Sequence, residues 1–427
     1  MTPAARVAAS IEILNEIGRG DTPADAILAD WFRGHRFAGS GDRRAIRDSV
    51  YADLRNGALL RWFVSESHGD PEDPRLRSIA GMAREMPEAL EVTFSGEGYG
   101  PLPLTSEEQE LANVVKEKDE IGVPDHVRVN CSAELFGIFA AQWCESTLDE
   151  LAALNRTAPV DFRVNTLNAS LADAQARLNA DGYETAPLPF SPWGLRSMNR
   201  GNFQLLGAYR EGIVDVQDES SQLVAILVDA APGHRVIDYC AGAGGKTLAL
   251  AAATNNEADI LACDISGARL SRGLPRMARL GVTCVRTLQV PAGHPPDDLR
   301  GHGDRVLIDA PCSGTGTWRR SPDVRWRTSA DTVAACLGVQ DGLLDTAASL
   351  VRPGGRVIYS VCSVLKSEGI ERVEAFLARA SGFVRVPVVQ VLGRGLAGDL
   401  GVTDDLMLTP YRHGTDGMYA AVIERTS

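Results

Sequence analysis

The sequence lacks the features that would place it in a membrane, secreted or metal-binding class. Among its 427 residues, no apolar run is long enough to cross a bilayer. The first segment, MTPAARVAASIEILNEIGRG, has the charges of an amphipathic helix and not the apolar centre of a secretory signal. The eight cysteines form no CxxC pair, which argues against structural zinc, and a disulfide framework is not expected without secretion. We therefore expect a cytoplasmic protein that has no membrane segment and no metal.

A surplus of basic charge is also missing. Lysine and arginine number 43 against 56 acidic residues, so the formal net charge is −13. This balance excludes a protein that coats nucleic acid with a uniformly basic surface, but not a local basic groove. Arginines are concentrated near the start of the chain, at Arg33, Arg36, Arg43, Arg44, Arg47, Arg55 and Arg61. They fit two interpretations, the solvated face of a helical domain or a helical RNA-binding module.

No internal repeat or low-complexity tract is present, and the length allows two or three domains. Apolar residues at helical spacing predict a helical domain over 1–85. Glycine, proline and acidic residues predict a linker with short helices over 86–155. A strand–helix–strand pattern predicts a small α/β subdomain over 156–211, and a larger α/β domain follows over 212–427.

Strands and helices alternate in this last region. The short apolar runs HRVIDYC, DILACDI, DRVLIDA and GRVIYSV each end near a turn, and helical segments lie between them. Such alternation predicts a Rossmann-like α/β fold, a mostly parallel sheet with helices on both faces. Ligands of these sheets bind at the carboxyl ends of the strands.

A glycine loop follows the first of these runs, in DYCAGAGGKT. It is not a phosphate-binding P-loop, because Cys240 stands where that motif needs glycine, and Thr247 likewise breaks the GxGxxG dinucleotide pattern. Asp264 ends the next strand about 20 residues later, the spacing at which an acid meets a ribose diol. The pattern favours S-adenosylmethionine, which has a ribose but no phosphate. A nucleotide ligand and a glycine turn without any ligand remain open.

Two cysteines, Cys312 in DAPCSGTG and Cys362 in YSVCS, lie where later strands end. Cysteine attacks as the thiolate, which nearby positive charge or a helix N-terminus favours. Taken alone, each cysteine fits an inert buried position better than a reactive one. Both together, beside a glycine loop, predict nucleophilic chemistry at sulfur.

At these residues the chain resembles the Sun-type (RsmB-like, Fmu-like) RNA cytosine-5 methyltransferases. DAPCSGTGTWRRSPDVRW is similar to the fourth motif of that family, and DYCAGAGGKT to its first motif, usually CAAPGGKT. FRVNT, VDVQDESSQLVA and LTPYRHGTDGMYAAVIER also match. DRRAIRDSVYADLR resembles the NusB-type RNA-binding domain that bacterial members carry. The resemblance thus implies a NusB-like domain over 1–85, an RNA-recognition subdomain over 156–211 and a catalytic domain over 212–427.

The resemblance also implies roles for single residues. Cys362 corresponds to the thiol that adds to carbon 6 of cytosine, so that carbon 5 can accept a methyl group. Cys312 corresponds to the second cysteine, which assists proton removal and release of the product, and Asp309 would hydrogen-bond the polar edge of the base. Asp264 would hold the ribose of S-adenosylmethionine, and Asp309 would also contact this cofactor. The methionine end of the cofactor would lie against Cys240, Ala241, Gly242, Ala243, Gly244, Gly245 and Lys246.

The implied partner is RNA, with small-subunit ribosomal RNA favoured over transfer RNA. The target base has to leave its stack, which costs least in an unpaired loop. Arg319, Arg320 and Arg325 follow the fourth motif and fit either phosphate contacts or surface salt bridges. We expect the protein to act as a monomer.

The chain departs from the family pattern at three places. Val361 replaces the threonine that usually precedes the attacking cysteine, and only Glu368 remains of a following Glu-Asn-Glu. The acid that normally follows the third strand is missing from CVRTLQVPAG, where Gln289 is the nearest polar substitute. An alternative is therefore a catalytically degenerate relative that binds RNA or ribosome precursors. An amino-group methyltransferase does not fit, because the fourth strand ends in DAPC and not in an NPPY-like motif.

Overall fold

A computed structural model describes residues 1–427 of the chain apart from 21, 119, 198, 200 and 294. It divides into two units, described separately below. The first comprises Met1–Arg156 and Trp318–Ala330, and the second Thr157–Thr317 and Asp331–Ser427. Within the described ranges, no helix is both long enough and apolar enough to span a membrane.

The first unit is helical, as the apolar spacing predicts for 1–85. Helix α6 shows how its helices begin: the Thr105 hydroxyl accepts the Glu108 N–H, and the Glu108 carboxylate accepts the Thr105 N–H, a reciprocal cap. The core contains Ile46, Val50 and Phe63, each fully buried. The helices of this unit are α1 (Pro3–Ile17), α2 (Ala24–Gly34), α3 (Ser40–Glu66), α4 (Pro74–Glu85), α5 (Leu90–Thr93), α6 (Ser106–Glu117), α7 (Asp125–Arg128), α8 (Ala133–Trp143), α9 (Thr147–Asn155) and, later in the chain, α15 (Pro322–Arg327).

The arginines after the fourth motif correct one expectation. Arg325, 2% exposed, donates to the Asn130 carbonyl (2.8 Å) and to Asn155 Oδ1 (2.7 Å), and its guanidinium stacks on Trp318. Burial lowers the pKa of Arg325 to about 9. Arg319 is buried as well, so both interpretations, phosphate contact and surface salt bridge, are wrong for these two residues. They stabilise the first unit from within.

The second unit begins with a small antiparallel sheet of order β2-β3-β1-β4. Its predicted strand–helix–strand start is β1, α10 and β2, and two further short strands complete it. Phe162, Val164 and Leu195 pack against Ala174 and Leu178 to form a separate core. The elements are β1 (Val160–Val164), α10 (Leu171–Ala180), β2 (Ala186–Pro187), β3 (Gly194–Ser197), α11 (Gly207–Arg210) and β4 (Val214–Val216).

The large sheet follows, with the order β10-β12-β9-β8-β5-β6-β7, and β11 pairs with β12. Its strands from β9 to β7 pair in parallel, whereas β10, β11 and β12 pair antiparallel. The elements are α12 (Glu219–Leu227), β5 (Arg235–Asp238), α13 (Gly245–Ala253), β6 (Asp259–Asp264), α14 (Gly267–Leu280), β7 (Val285–Gln289), β8 (Gly303–Asp309), α16 (Ala330–Leu350), β9 (Val351–Val361), α17 (Ile370–Arg379), β10 (Phe383–Val386), α18 (Val388–Leu400), β11 (Leu406–Leu408), α19 (Pro410–His413) and β12 (Met418–Arg425).

Alternating side chains place an apolar core on each face of this sheet. Leu307 points to the core that α12 and α13 cover, whereas Ile308, the next residue, points to the core that α16 and α17 cover. The predicted Rossmann-like fold, mostly parallel with helices on both faces, is confirmed. Four parallel strands, β5, β6, β8 and β9, therefore bring their carboxyl ends to one edge, where the predicted site residues lie.

Candidate functional site

The glycine loop connects β5 to α13 and turns through two left-handed residues. Gly242 has φ +57° and Gly244 has φ +80°, which explains why glycine stands at both positions. Asp264, at the end of β6 and 3% exposed, fixes this turn by accepting the Gly242 N–H at 2.8 Å. Its other oxygen accepts the Ser266 N–H at 2.9 Å, and Arg269 lies 3.3 Å from the same carboxylate. The predicted acid and loop are thus in direct contact.

Three carboxylates and one buried ammonium lie around the loop. Lys246 Nζ forms an ion pair with Asp309 Oδ2 at 2.7 Å, and the Ser360 hydroxyl donates to Asp309 Oδ1 at 3.1 Å. Burial alone would lower the pKa of Lys246, but the Asp309 carboxylate raises it, so the ammonium stays charged. Burial raises the pKa of Asp238 to about 7. Asp309 pairs with Lys246 and Asp264 with the exposed Arg269, so a cationic ligand is favoured beside Asp238 and where Arg269 moves aside.

The loop is also tied to the small sheet of the same unit. Arg276, on α14, donates to the Ala243 carbonyl at 2.9 Å and to Asp215 Oδ2 at 2.6 Å. Arg279 donates to the other oxygen of Asp215 at 2.8 Å. The loop backbone is therefore held from behind by an arginine that is itself fixed.

The two predicted cysteines meet in space. Cys312 follows β8 by three residues, Cys362 follows β9 directly, and their Sγ atoms are 3.4 Å apart. The parallel register of the two strands, with Asp309 opposite Ser360, brings these strand ends together. Both side chains are partly exposed. The two thiols thus lie side by side at the ends of neighbouring strands.

Hydrogen bonds join the two loops that carry the cysteines. The Gly316 N–H donates to the Cys362 carbonyl at 3.1 Å. Thr315 Oγ1 accepts the Val364 N–H at 3.1 Å and lies 2.9 Å from the Ser363 hydroxyl. These hydrogen bonds join the two loops into one structure, which fixes the distance between the two Sγ atoms.

The surroundings of Cys312 and Cys240 keep both thiols protonated. The hydrogen bond with Cys362 raises the pKa of Cys312 well above the ordinary thiol range, and burial and the Glu368 carboxylate act in the same direction. Cys312 therefore keeps its proton while its sulfur is hydrogen-bonded to Cys362. Burial, and to a smaller extent the charge of Asp238, also raises the pKa of Cys240. This thiol is therefore unreactive and only lines the glycine loop.

The third strand supplies no acid, as the sequence indicates. Gln289 ends β7, opposite Asp264 in the parallel register, and its amide donates to the Ile265 carbonyl at 3.1 Å. A Cβ on Gly267 would lie 2.6 Å from Gln289 Oε1, so this glycine makes room for the amide. Gln289 therefore lies on the predicted edge as a neutral polar group.

Sequence reasoning missed two residues of the site. Asp238 ends β5 immediately before the glycine loop; it accepts the Thr247 hydroxyl at 2.6 Å, while its Oδ1 is buried without a partner among the described residues. Its position as an acid at the carboxyl end of β5, the first strand of the large sheet in chain order, was the signal that could have identified it. The second missed residue is Gly417. Its N–H donates to the Gly316 carbonyl at 2.8 Å, so the C-terminal motif supports the Cys312 loop.

A cavity of about 180 Å³ opens at the opposite edge of the same strands and is lined in part by Arg235, Asp259 and Arg286. It lies at the amino ends of β5 and β6, away from the thiols and the glycine loop. Ligands of parallel sheets bind at the carboxyl ends, so we assign the chemistry to the edge that carries the cysteines.

Known proteins resemble this chain in sequence. The sequence model of "16S rRNA methyltransferase RsmB/F" matches residues 225–424, and that of the RsmF/B-like ferredoxin-like domain matches residues 135–203. A probable ribosomal RNA small subunit methyltransferase B of Synechocystis is 27% identical over 440 residues, covering 97% of this chain and 98% of the relative. The Pseudomonas syringae ribosomal RNA small subunit methyltransferase B is 33% identical over 282 residues, 66% of this chain and 62% of the relative.

Solved structures extend the likeness to the whole chain. The crystal structure of PH0851 superposes with a TM-score of 0.80 at 26% identity and covers 100% of this chain and 99% of that one. A methyltransferase homolog from Pyrococcus horikoshii, also 26% identical, has a TM-score of 0.61 and covers 70% of this chain and 97% of that one. Motifs, fold and relatives agree, and the chain belongs to the RsmB/F family of methyltransferases.

Proposed function

We propose that this protein methylates carbon 5 of cytosine in RNA through a covalent cysteine–cytosine adduct. The observation that supports this most directly is the pair of thiols, with Sγ atoms 3.4 Å apart, on the strand ends next to the glycine loop. One thiol to attack and a second to handle protons is what this chemistry requires. An amino-group transfer would need neither.

The residues around the loop fit S-adenosylmethionine as the methyl donor. The acidic groups favour a sulfonium cation and disfavour the pyrophosphate of a dinucleotide, and the buried Asp238 Oδ1 lacks a partner among the described residues. Asp264 and the Cys240–Lys246 loop would hold this cofactor, with Gln289 beside Asp264. When bound, it supplies an electrophilic methyl group. Arg269, 54% exposed by its side chain, leaves Asp264 at low cost when a ribose hydroxyl takes its place.

Cys362 acts as the nucleophile. Its sulfur accepts the hydrogen bond from the protonated Cys312, and Lys246 is near enough to interact with its charge. Cysteine attacks as the thiolate. The thiolate adds to carbon 6 of cytosine, which makes carbon 5 electron-rich enough to take the methyl group.

Cys312 and Asp309 complete the reaction. After methylation, the carbon 5 proton has to leave so that the bond between carbon 6 and Cys362 can break. Cys312 first gives its own proton to water and then, as a thiolate, takes the carbon 5 proton. The electron pair of that C–H bond restores the ring double bond, and Cys362 leaves as a thiolate. Asp309, held by Lys246 and Ser360, is placed to hydrogen-bond the polar edge of the base.

RNA is the substrate class, and the names of the relatives favour small-subunit ribosomal RNA. A cytosine in a loop fits best, because its extrusion from a stack costs only a few kcal/mol. The small sheet would recognise RNA beside the catalytic edge, and the helical first unit would act as a NusB-like RNA-binding domain.

Methyl transfer from labelled S-adenosylmethionine to transcribed small-subunit ribosomal RNA, with bulk transfer RNA as a second substrate, tests the proposal. Cys362→Ala is expected to abolish both transfer and adduct. Cys312→Ala is expected to accumulate protein covalently attached to RNA, seen as a denaturation-resistant band, because release is impaired. Cys284→Ala, a partly buried cysteine next to β7, is the matched control and should behave as the wild type.

Failure of the wild type to methylate either RNA would favour the degenerate RNA-binding alternative. Equal activity in the Cys362→Ala and Cys312→Ala variants, without trapping, would contradict the assigned roles.

A further inference from the structure

Glu368 is fully buried beside the loop of Cys312, and the reaction described above does not use it. Its Oε1 accepts the Ser313 N–H at 2.8 Å, and its Oε2 accepts the Ser313 hydroxyl. Ser313 is the residue after Cys312. A buried carboxylate therefore holds one side of the proton-handling cysteine.

The other side of Cys312 is held through a second residue. Gln340, on α16 and fully buried, donates through Nε2 to Glu368 Oε1 at 3.1 Å and to the Pro311 carbonyl at 3.1 Å. Pro311 precedes Cys312. Both neighbours of the cysteine thus depend on one carboxylate, directly at Ser313 and through Gln340 at Pro311.

The segment that carries Glu368 is fixed as well. The Tyr359 hydroxyl, on β9, donates to the Glu368 carbonyl at 2.6 Å, and the Glu368 N–H donates to the Leu365 carbonyl at 3.2 Å. Cys362 lies between these points in the chain. Glu368 consequently connects the loop of one cysteine to that of the other.

We propose that Glu368 is a positioning residue that holds Cys312 against Cys362 through Ser313 and Gln340. This rests on the roles proposed above for the two cysteines. A buried carboxylate is costly, and a neutral side chain would anchor the loop more cheaply. The negative charge has a use here, because it disfavours a second thiolate next to Cys362.

Glu368→Ala and Glu368→Gln separate the anchoring by Glu368 from the effect of its charge. In Glu368→Ala, Cys362 still forms the adduct, but release from RNA is expected to be about tenfold to a hundredfold slower, since the second thiol is misplaced. Glu368→Gln keeps the shape and loses the charge. Its adduct should form normally, and the pH profile of release should shift to lower pH, because Cys312 loses its proton more easily.

Glu371→Gln is the matched control, since this acid lies three residues further on and is exposed. It should leave adduct formation, release and the pH profile unchanged. Gln340→Ala removes the anchor at Pro311 together with one hydrogen bond to Glu368, and it should slow release while Glu368 and its contacts with Ser313 remain. If Glu368→Ala does not fold, as judged by its thermal unfolding, the release rate of Gln340→Ala alone tests the positioning role.

Three results separate this inference from the proposed function. Absence of any adduct in Cys312→Ala would overturn the proposed function. Trapping in Cys312→Ala together with wild-type release in Glu368→Ala or Gln340→Ala would overturn the positioning role alone. A pH profile of Glu368→Gln that coincides with the wild type would overturn the role of its charge.

Discussion

At the scale of the residue, individual buried ionisable side chains determine the electrostatics of the site. Asp238 shows this most clearly, because it has one hydrogen bond, from Thr247, and its pKa is raised to about 7 by burial. In the unfolded chain an aspartate ionises near pH 4. Between about pH 4 and 7 the folded state therefore binds more protons than the unfolded state, and the free energy of unfolding decreases as the pH rises.

Asp238→Asn tests this effect. The asparagine keeps the Thr247 contact and has no proton to lose, so its stability should depend less on pH between about 4 and 7 than that of the wild type. Urea denaturation at several pH values, without added ligand, measures both slopes. Parallel curves for the two proteins would show that Asp238 already ionises normally in the folded chain.

Asp264 and Arg269 make a second prediction at this scale. Asp264→Asn should weaken S-adenosylmethionine binding about tenfold or more, because a hydrogen bond to a charged group contributes about 1.5–3 kcal/mol. Arg269→Ala should change the affinity little, since Arg269 is largely exposed and only has to move aside. Isothermal titration calorimetry gives both dissociation constants. A larger loss in Arg269→Ala than in Asp264→Asn would reverse the roles assigned to them.

Residue types and motifs predicted part of this site. Strand ends and a glycine turn are local signals, so Cys312, Cys362, Asp264 and the loop were predicted from the sequence. The contact between Glu368 and Gln340 was not, because its partners are 28 residues apart on different elements. Arg325 was misjudged because arginine is rarely buried, and only Asn130 and Asn155, far away in the chain, provide its partners.

At the scale of the element, backbone crossings set the position of the Cys312 loop. A Cβ on Gly316 would lie 2.0 Å from the Gly417 carbonyl oxygen, and a Cβ on Gly417 would lie 2.4 Å from Val364 Cγ1. Neither contact can be relieved without moving backbone or a buried side chain. The C-terminal motif thus needs glycine at position 417 for a steric reason, because this segment passes close to the loops that follow Cys312 and Cys362.

Gly417→Ala should therefore lower the free energy of unfolding by about 1–3 kcal/mol, the usual cost of overpacking, and slow methyl transfer. Gly398→Ala is the control. Gly398 lies in α18 with open space around its Cα, so alanine should be neutral or slightly stabilising there. Chemical denaturation and the transfer assay measure the two effects. Unchanged stability and rate in Gly417→Ala would show that the segment moves freely.

The elements themselves were predicted unevenly. β5, β6, β8 and β9 are buried on both faces and read as continuous apolar runs, so their positions followed from the sequence. β3 and β4 are only four and three residues long, and their pairing with β1 is antiparallel and non-local. β5 is as short as β3 but belongs to a longer apolar run, whereas GLRS of β3 and VDV of β4 form no such run, so tertiary pairing alone defines these two strands.

At the scale of the whole molecule, the net charge of −13 has to be reconciled with an RNA substrate. The first unit exposes Arg33, Arg36, Arg44 and Arg47. Two of them pair with an acid one turn away, Arg33 with Asp30 and Arg44 with Asp48, and Arg61 pairs with Glu72 at 2.7 Å. A local cluster on an acidic body gives RNA affinity without non-specific coating.

Combined substitution of Arg36 and Arg47 by alanine tests whether these side chains bind phosphate. Each phosphate contact contributes about 0.7–0.9 to the slope of log affinity against log salt, so the double variant should reduce that slope by about 1.5. Arg286→Ala, an exposed arginine that pairs with Asp259 in the second unit, is the control and should leave the slope unchanged. Filter binding of transcribed small-subunit ribosomal RNA over a range of salt concentrations measures it. An unchanged slope in the double variant would assign these arginines to a solvated helix face and leave RNA recognition to the second unit.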